Sequence, residues 1–288
     1  MRRYTFSGEK DGPAILIFGA IHGNEVCGPR AIRKIVQELS TGIISMRRGS
    51  VTFVPVCNPE AYAARTRLVN VDLNRVFKRV KRPRTYEQRV ANELAELIDQ
   101  SDVFLDIHST SSPSIPFTCL DHSTKRNAAL TAALGAQVVI LGWPDLYAGS
   151  SADTLSYAQK SGAANAIIEC GQHGSARATA TAYETIRRVL AFYRVTDAGK
   201  RPQLPHRPVY VRLTKLYRRP DQQSTLAKKW ENFAALKKGE PIVIRGNSIR
   251  MRAPYDCMIV MPGQNTPTGQ EWFYLGKQVA PPRPGVRR

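Results

Sequence analysis

An apolar run, Ala14-Ile15-Leu16-Ile17-Phe18, breaks at Gly19 into Gly19-Ala20-Ile21-His22-Gly23-Asn24-Glu25, and no other stretch of the chain constrains the fold as much. A short apolar run bounded by Gly12-Pro13 and Gly19 reads as a buried strand. Its Gly-containing exit delivers His22 and Glu25 to the carboxyl end of that strand, the edge of an open α/β sheet where ligands bind. A single turn of backbone can bring an imidazole nitrogen and a carboxylate oxygen three positions apart to about 2 Å from one shared metal ion. The pair also has a plainer use, with His22 capping a loop and Glu25 opening a helix, where an acid suits the dipole.

The elements that follow build a parallel sheet. Ile32, Ile35, Val36 and Leu39 give Val26 to Leu39 the spacing of an amphipathic helix, and Val51 to Val56 reads as a second strand stopped by Asn58-Pro59. Strand, helix, strand is how such sheets begin. The block from Arg65 to Phe77 is too polar for a core element and reads as a binding loop. Within it Asn74-Arg75 suits a substrate carboxylate, because arginine presents a planar fork of donors; the other use of such arginines is surface ion pairing.

Thr85-Tyr86-Glu87-Gln88 has the form of a capping box, opening a helix to Asp99. The next strand, Val103 to Ile107, runs into His108. Asp106 and His108 share a face of it, which makes His108 a third metal-ligand candidate and Asp106 a carboxylate able to orient it. Asn127 to Leu134 reads as helix, Gln137 to Leu141 as strand, Gly142 to Ser151 as loop and Ala152 to Lys160 as a short helix. The strand Ala164 to Gly171 then ends in a lone acid, Glu169. An ionised side chain seldom sits there without a function, the alternative being a cap for the helix Ala178 to Tyr193.

Beyond Lys200 the texture changes. Arg201 to Pro208 is a linker by composition, and the short alternating runs Val209 to Leu213, Pro241 to Arg245 and Cys257 to Met261 predict a small β-rich unit. The division expected is therefore an α/β domain over 1–200 and a β-rich domain over 201–288.

At 288 residues, 42% of them hydrophobic, the chain can fill one sizeable core and a smaller second one. Its net charge of +19 favours acidic partners without choosing among them. The basic clusters Lys78 to Arg84 and Arg283 to Arg288 lack the interleaved aromatics of a single-strand binding groove and read as solvated loop and tail. Five widely spaced cysteines without a Cys-x-x-Cys pair suggest neither a disulfide framework nor a zinc knuckle. With no apolar run near 18 residues and no leader-like start, the expectation is a cytoplasmic protein without membrane or specific nucleic-acid partners. Homo-oligomerisation is left open.

The order His22-x-x-Glu25, Arg67 with Asp72-Leu73-Asn74-Arg75, Asp106-x-His108 and Glu169 resembles the succinylglutamate desuccinylase and aspartoacylase family, a branch of the zinc carboxypeptidase-like hydrolases. The resemblance covers most of the first 200 residues. It implies a doubly wound mixed α/β sheet with a smaller C-terminal β-rich domain, and one Zn²⁺ per chain held by His22, Glu25 and His108. It further implies a metal-bound water as nucleophile, Glu169 as general base, Arg67 as stabiliser of the oxyanion, and Asn74 and Arg75 as the grip on a substrate carboxylate. The reaction implied is hydrolysis of a small N-acyl amino acid, N-acetylaspartate- or N-succinylglutamate-like.

Two positions bear on substrate. Where aspartoacylases carry a further arginine about ten residues before the catalytic Glu, this sequence has Gln159 beside Lys160, which argues against strict N-acetylaspartate specificity. The tyrosine that the family brings over its site corresponds to Tyr274, whose other use is barrel packing. His122, His173 and His206 receive no role. The alternatives are a metallocarboxypeptidase acting on short peptides and a non-catalytic polyanion binder on the same fold.

Overall fold

The structure, a computed structural model, describes residues 1–121, 123–147, 152–197 and 208–282. The polypeptide opens with β1 (Tyr4–Ser7), β2 (Lys10–Gly19), α1 (Cys27–Ser40), β3 (Arg48–Val54) and α2 (Pro59–Ala64). It continues through α3 (Tyr86–Asp99), β4 (Val103–Thr110), β5 (Phe117–Cys119), α4 (Lys125–Leu134) and β6 (Val138–Leu141). Then come α5 (Thr154–Ser161), β7 (Ala164–Gln172) and α6 (Ala176–Phe192). The remaining strands are β8 (Val209–Arg218), β9 (Ser224–Leu226), β10 (Ala235–Leu236), β11 (Pro241–Arg245), β12 (Ser248–Arg252), β13 (Cys257–Val260) and β14 (Glu271–Val279).

Eleven strands form one mixed sheet in the order β1-β3-β2-β4-β7-β5-β6-β8-β14-β13-β10. Its centre, β3-β2-β4-β7, is parallel, so four strands end along one edge. Helices cover both faces of that centre. On one face Ile32 and Ile35 of α1, Leu130 of α4 and Ile186 and Val189 of α6 pack on Ile15, Ile17, Leu105 and Ile168. On the other face Leu94 and Ile98 of α3 and Leu155 of α5 pack on Leu16, Phe18 and Phe104. With both faces covered, all eight residues of β4 are buried, its polar Asp106 and His108 included.

The fold is thus the doubly wound mixed α/β expected, and local chemistry explains the element ends. Thr85 forms the capping box with Gln88. Asn58 caps α2, its side chain accepting from Ala61 N, with Pro59 in the first turn where a missing N–H costs nothing. At the other end Arg65 takes a left-handed φ of 56° and turns the chain into the polar loop.

The strands after residue 208 are more continuous with the first part than the change of texture suggests. β8 pairs in parallel with β6, and β14, β13 and β10 extend the same sheet, while β9, β11 and β12 make a separate three-stranded sheet. The expected boundary at residue 200 lies outside the described residues, as do His122 and His206. Among the described residues no helix is long and apolar enough to cross a membrane.

Candidate active site

The parallel edge collects the polar residues. After β2 the backbone takes a left-handed turn at Ala20, φ 48°, and presents His22 and Glu25, both buried. Gly23 permits this turn to lie against α2, since a Cβ there would sit 2.1 Å from the carbonyl carbon of Ala61. On β4, Asp106 and His108 share a face, and across the parallel pair His108 stands in register with Glu169 of β7. Residues in register on adjacent strands project to the same side. Four residues from three strand ends therefore converge without any long-range distortion.

His22 Nδ1 lies 2.8 Å from Glu25 Oε1, and His108 Nδ1 lies 3.1 Å from Glu25 Oε2. The opposite ring nitrogens also face acids: His22 Nε2 is 3.1 Å from Asp72 Oδ1, and His108 Nε2 is 3.0 Å from Asp106 Oδ2. Thr154 Oγ1 donates to the same Asp106 oxygen at 2.6 Å, and Ser109 N donates to Glu25 Oε2 at 2.9 Å. His22 is held by a carboxylate hydrogen bond on its outer nitrogen, the arrangement that fixes a tautomer when the inner nitrogen serves a metal; beside His108 the Asp106 carboxylate is close to the outer nitrogen without forming a hydrogen bond to it.

Donor atoms of His22, Glu25 and His108 all lie within 4.8 Å of one another, a spacing that could hold a metal ion. The residues fit a divalent cation in three respects. Nitrogen and carboxylate oxygen donors suit zinc and its neighbours. Glu169 Oε2 and Asp106 Oδ1 are buried without hydrogen-bond partners, so the pocket holds uncompensated acceptors. The field also favours positive charge: burial lowers the His108 pKa, but Asp106 and Glu25 outweigh it and hold the imidazole well above its usual range. Likewise burial works to raise Glu25, yet His22 and His108 hold it well below the usual carboxylate range.

Glu169 behaves oppositely to Glu25. Burial, followed by the charge of Glu25, pushes its carboxyl up to about 7 against the pull of His108, His22 and Arg67. Two neighbouring acids with pKa values driven apart are the pattern of divided labour, one staying charged and the other exchanging a proton.

Arg67 reaches this group from the loop. Its Nε and Nη2 lie 3.0 and 2.9 Å from Asp72 Oδ2, and its Nη1 lies 3.8 Å from Glu25 Oε1. Asn74 is buried, with its side-chain oxygen accepting from Thr154 N at 2.9 Å, so only its amide nitrogen is left for a ligand. The Arg75 fork is filled by Glu271 of β14. Tyr274, also on β14, donates to Glu271 Oε2 at 2.7 Å, meets Tyr147 Oη at 2.7 Å, and packs at 5.0 Å on Trp143. It serves packing and the polar cluster together. Gln159 takes no part: its oxygen accepts from Asn127 and Asn165.

Sequence reasoning overlooked four contributors. Asp72 appears there only as a motif letter, although it ties Arg67 to His22. Thr154 and Glu271 gave no local signal. His173, passed over as a loop residue, places Nδ1 2.8 Å from Ser109 Oγ, directly behind the Ser109 N–H that holds Glu25.

Residues 11–193 match the succinylglutamate desuccinylase/aspartoacylase catalytic domain. The chain belongs to that family. Aspartoacylase of Rattus norvegicus is 34% identical over 110 residues, 34% of this chain and 34% of that protein. N-alpha-acetyl-L-2,4-diaminobutyric acid deacetylase of Halomonas elongata is 32% identical over 146 residues, 46% of this chain and 40% of that protein. These alignments therefore span well under half of the relatives' length. Solved structures carry the fold further. A succinylglutamate desuccinylase/aspartoacylase from Rhodobacter sphaeroides superposes with a TM-score of 0.76 at 20% identity, covering 96% of this chain and 89% of that one. The ectoine utilization protein EutE (DoeB) from Ruegeria pomeroyi gives 0.78 at 21%, covering 95% and 88%.

Proposed function

We propose that this family member is a zinc-dependent amidohydrolase that cleaves a small N-acyl amino acid into a carboxylic acid and a free amino acid. The observation that carries the proposal is the convergence of the His22, Glu25 and His108 donors beside a carboxyl, Glu169, whose pKa is poised near neutrality. His22, Glu25 and His108 would hold the ion, and a bound zinc supplies Lewis acidity and lowers the pKa of water. Asp72 holds the His22 imidazole in place, and Asp106 lies beside that of His108.

The remaining chemistry belongs to the chain. Glu169 accepts a proton from the attacking water and returns it to the departing amine, the task for which a pKa near the working pH is best. Arg67 faces the same space and stabilises the oxyanion of the tetrahedral intermediate; loss of such a donor costs about 3 kcal/mol. Asn74 and Arg75 bind the carboxylate of the amino acid, Arg75 through the Nη protons that remain once Glu271 has taken its Nε–Nη2 edge and fixed its orientation. Because β14 brings Glu271 and Tyr274 against this edge, the site suits a small substrate over a long peptide.

An assay of N-acetyl and N-succinyl amino acids beside short peptides tests the reading. Turnover of one or more N-acyl amino acids is expected, and turnover of peptides alone would overturn it.

A further inference from the structure

The strand that carries Glu169 ends with a bulge, and the bulge places a histidine. His108 of β4 pairs with Glu169 of β7, yet the next pair is Thr110 with Gln172, so β7 holds one residue more than β4 across this step. Gly171, at φ 117°, lies within the extra length. Residues in register on parallel strands project to the same side. His173 therefore falls on the face of Ser109 and Ile107, the one covered by α1 and α6, and opposite to the face of His108.

Two contacts anchor it. Its backbone N–H donates to Thr110 O at 2.8 Å, and its Nδ1 meets Ser109 Oγ at 2.8 Å. Among the described residues the Ser109 hydroxyl has no other acceptor, so it donates to Nδ1 and the proton of the neutral ring sits on Nε2. Burial holds the ring's pKa below its usual value, with Glu25 pulling it up and Arg67, His22 and His108 pushing it down; the ring is neutral and stands in the field of the metal-ligand group. Nε2 has no partner among the described residues.

The metal-ligand group is thus flanked from both faces of the sheet. Asn74, which accepts from Thr154 N of α5, stands on the face of α3 and α5, and His173 on the other. An N-acyl amino acid has one arm on each side of its scissile amide. With the amino-acid carboxylate on Asn74 and Arg75, the acyl arm extends away from them, toward the flank of His173.

We propose that His173 is a specificity-determining residue for the acyl group, its Nε2–H donating to a carboxylate at the far end of a dicarboxylic acyl arm. This role rests on the deacylase reading above. Comparing kcat/KM for the N-succinyl and N-butyryl derivatives of one amino acid, the best found in the assay above, tests it, because the two arms share a carbon chain and differ at the terminal carboxylate. The wild type should prefer the succinyl substrate by roughly tenfold or more, the effect of one hydrogen bond to a charged group.

His173→Asn keeps a polar group beside Ser109 but lacks the reach of Nε2. It should abolish the preference, mainly by raising KM for the succinyl substrate, with butyryl turnover and bound metal within about twofold of wild type. His173→Gln, whose amide nitrogen reaches the place of Nε2, should restore part of the preference. A purely structural role behind Ser109 and Glu25 would instead lower both substrates together and reduce bound metal. That result, an unchanged preference in His173→Asn, or a wild type that favours the butyryl arm would overturn the assignment while the deacylase reading stands; absence of turnover of every N-acyl amino acid would overturn both.

Discussion

Glu271, on the last long strand, holds the guanidinium of Arg75 by two hydrogen bonds across 196 positions of sequence, Nη2 to Oε2 at 2.8 Å and Nε to Oε1 at 3.3 Å. The same carboxylate accepts from Tyr274, so one acid joins the C-terminal strands to the polar loop that follows α2. Both side chains of the ion pair are less than a third exposed. Removing the acid deprives a part-buried cation of its ion-pair partner and Tyr274 of one of its two hydrogen bonds, and Glu271→Ala is expected to cost about 2 kcal/mol in urea unfolding. Because Arg75 loses its fixed orientation, KM should rise more than kcat falls.

Binding of a metal to the folded state alone should stabilise it. At a free zinc concentration of one hundred times Kd the gain is about 2.7 kcal/mol, worth roughly 5 to 10 °C in Tm for a chain of this size. Chelation should reverse the shift, and His108→Ala should abolish it. A His108→Ala protein that still gains the full shift would exclude this cluster as the binding site.

Activity should depend on the protonation of Glu169. Its carboxyl, pushed up to about 7 by burial and Glu25, must be deprotonated to act as a base, so kcat/KM rises with pH through the acid limb. A divalent cation nearby favours the charged carboxylate and moves the limb lower. The midpoint in a pH profile is therefore expected at or below about 7, and a limb clearly above it would contradict the assignment.

Asp121 offers a check on stability with the opposite sign from an ordinary ion-paired acid. Burial, then the charges of Asp153 and Asp145, push its carboxyl up to about 8 from 3.8, and its Oδ1 has no partner. Between those values the folded state binds more protons than the unfolded one, so this group makes stability fall as pH rises. Asp121→Asn should remove that slope, leaving the variant more stable than the parent at pH 8 and gaining little at pH 4. Urea midpoints across this range measure it, and parallel curves would contradict it.

Much of this architecture was legible in the chain because the signals are local. The Thr85 capping box, the strands that carry Gly19, His108 and Glu169 near their carboxyl ends, and the spacing of His22 and Glu25 each express nearest-neighbour chemistry, and the parallel sheet then aligns the strand ends. What was hidden depends on pairings that no short window carries. β5 is three residues long, antiparallel to β7 and parallel to β6, and too short for any periodicity. The contact of Glu271 with Arg75 follows from the pairing of β14 with β8 and of β8 with β6, which the change of texture near residue 200 conceals. His173 reads as a polar loop residue until the turn after β7 folds it against Ser109.

Two imidazoles and a carboxylate are expected to hold an ion next to a separate proton acceptor. The most direct test is metal content together with turnover of an N-acyl amino acid, measured on wild type and Glu169→Gln. One zinc per chain in both proteins, with turnover lost only in the variant, is the result expected. Wild-type protein that turns over substrate without any divalent metal, or a Glu169→Gln protein as active as wild type, would contradict it.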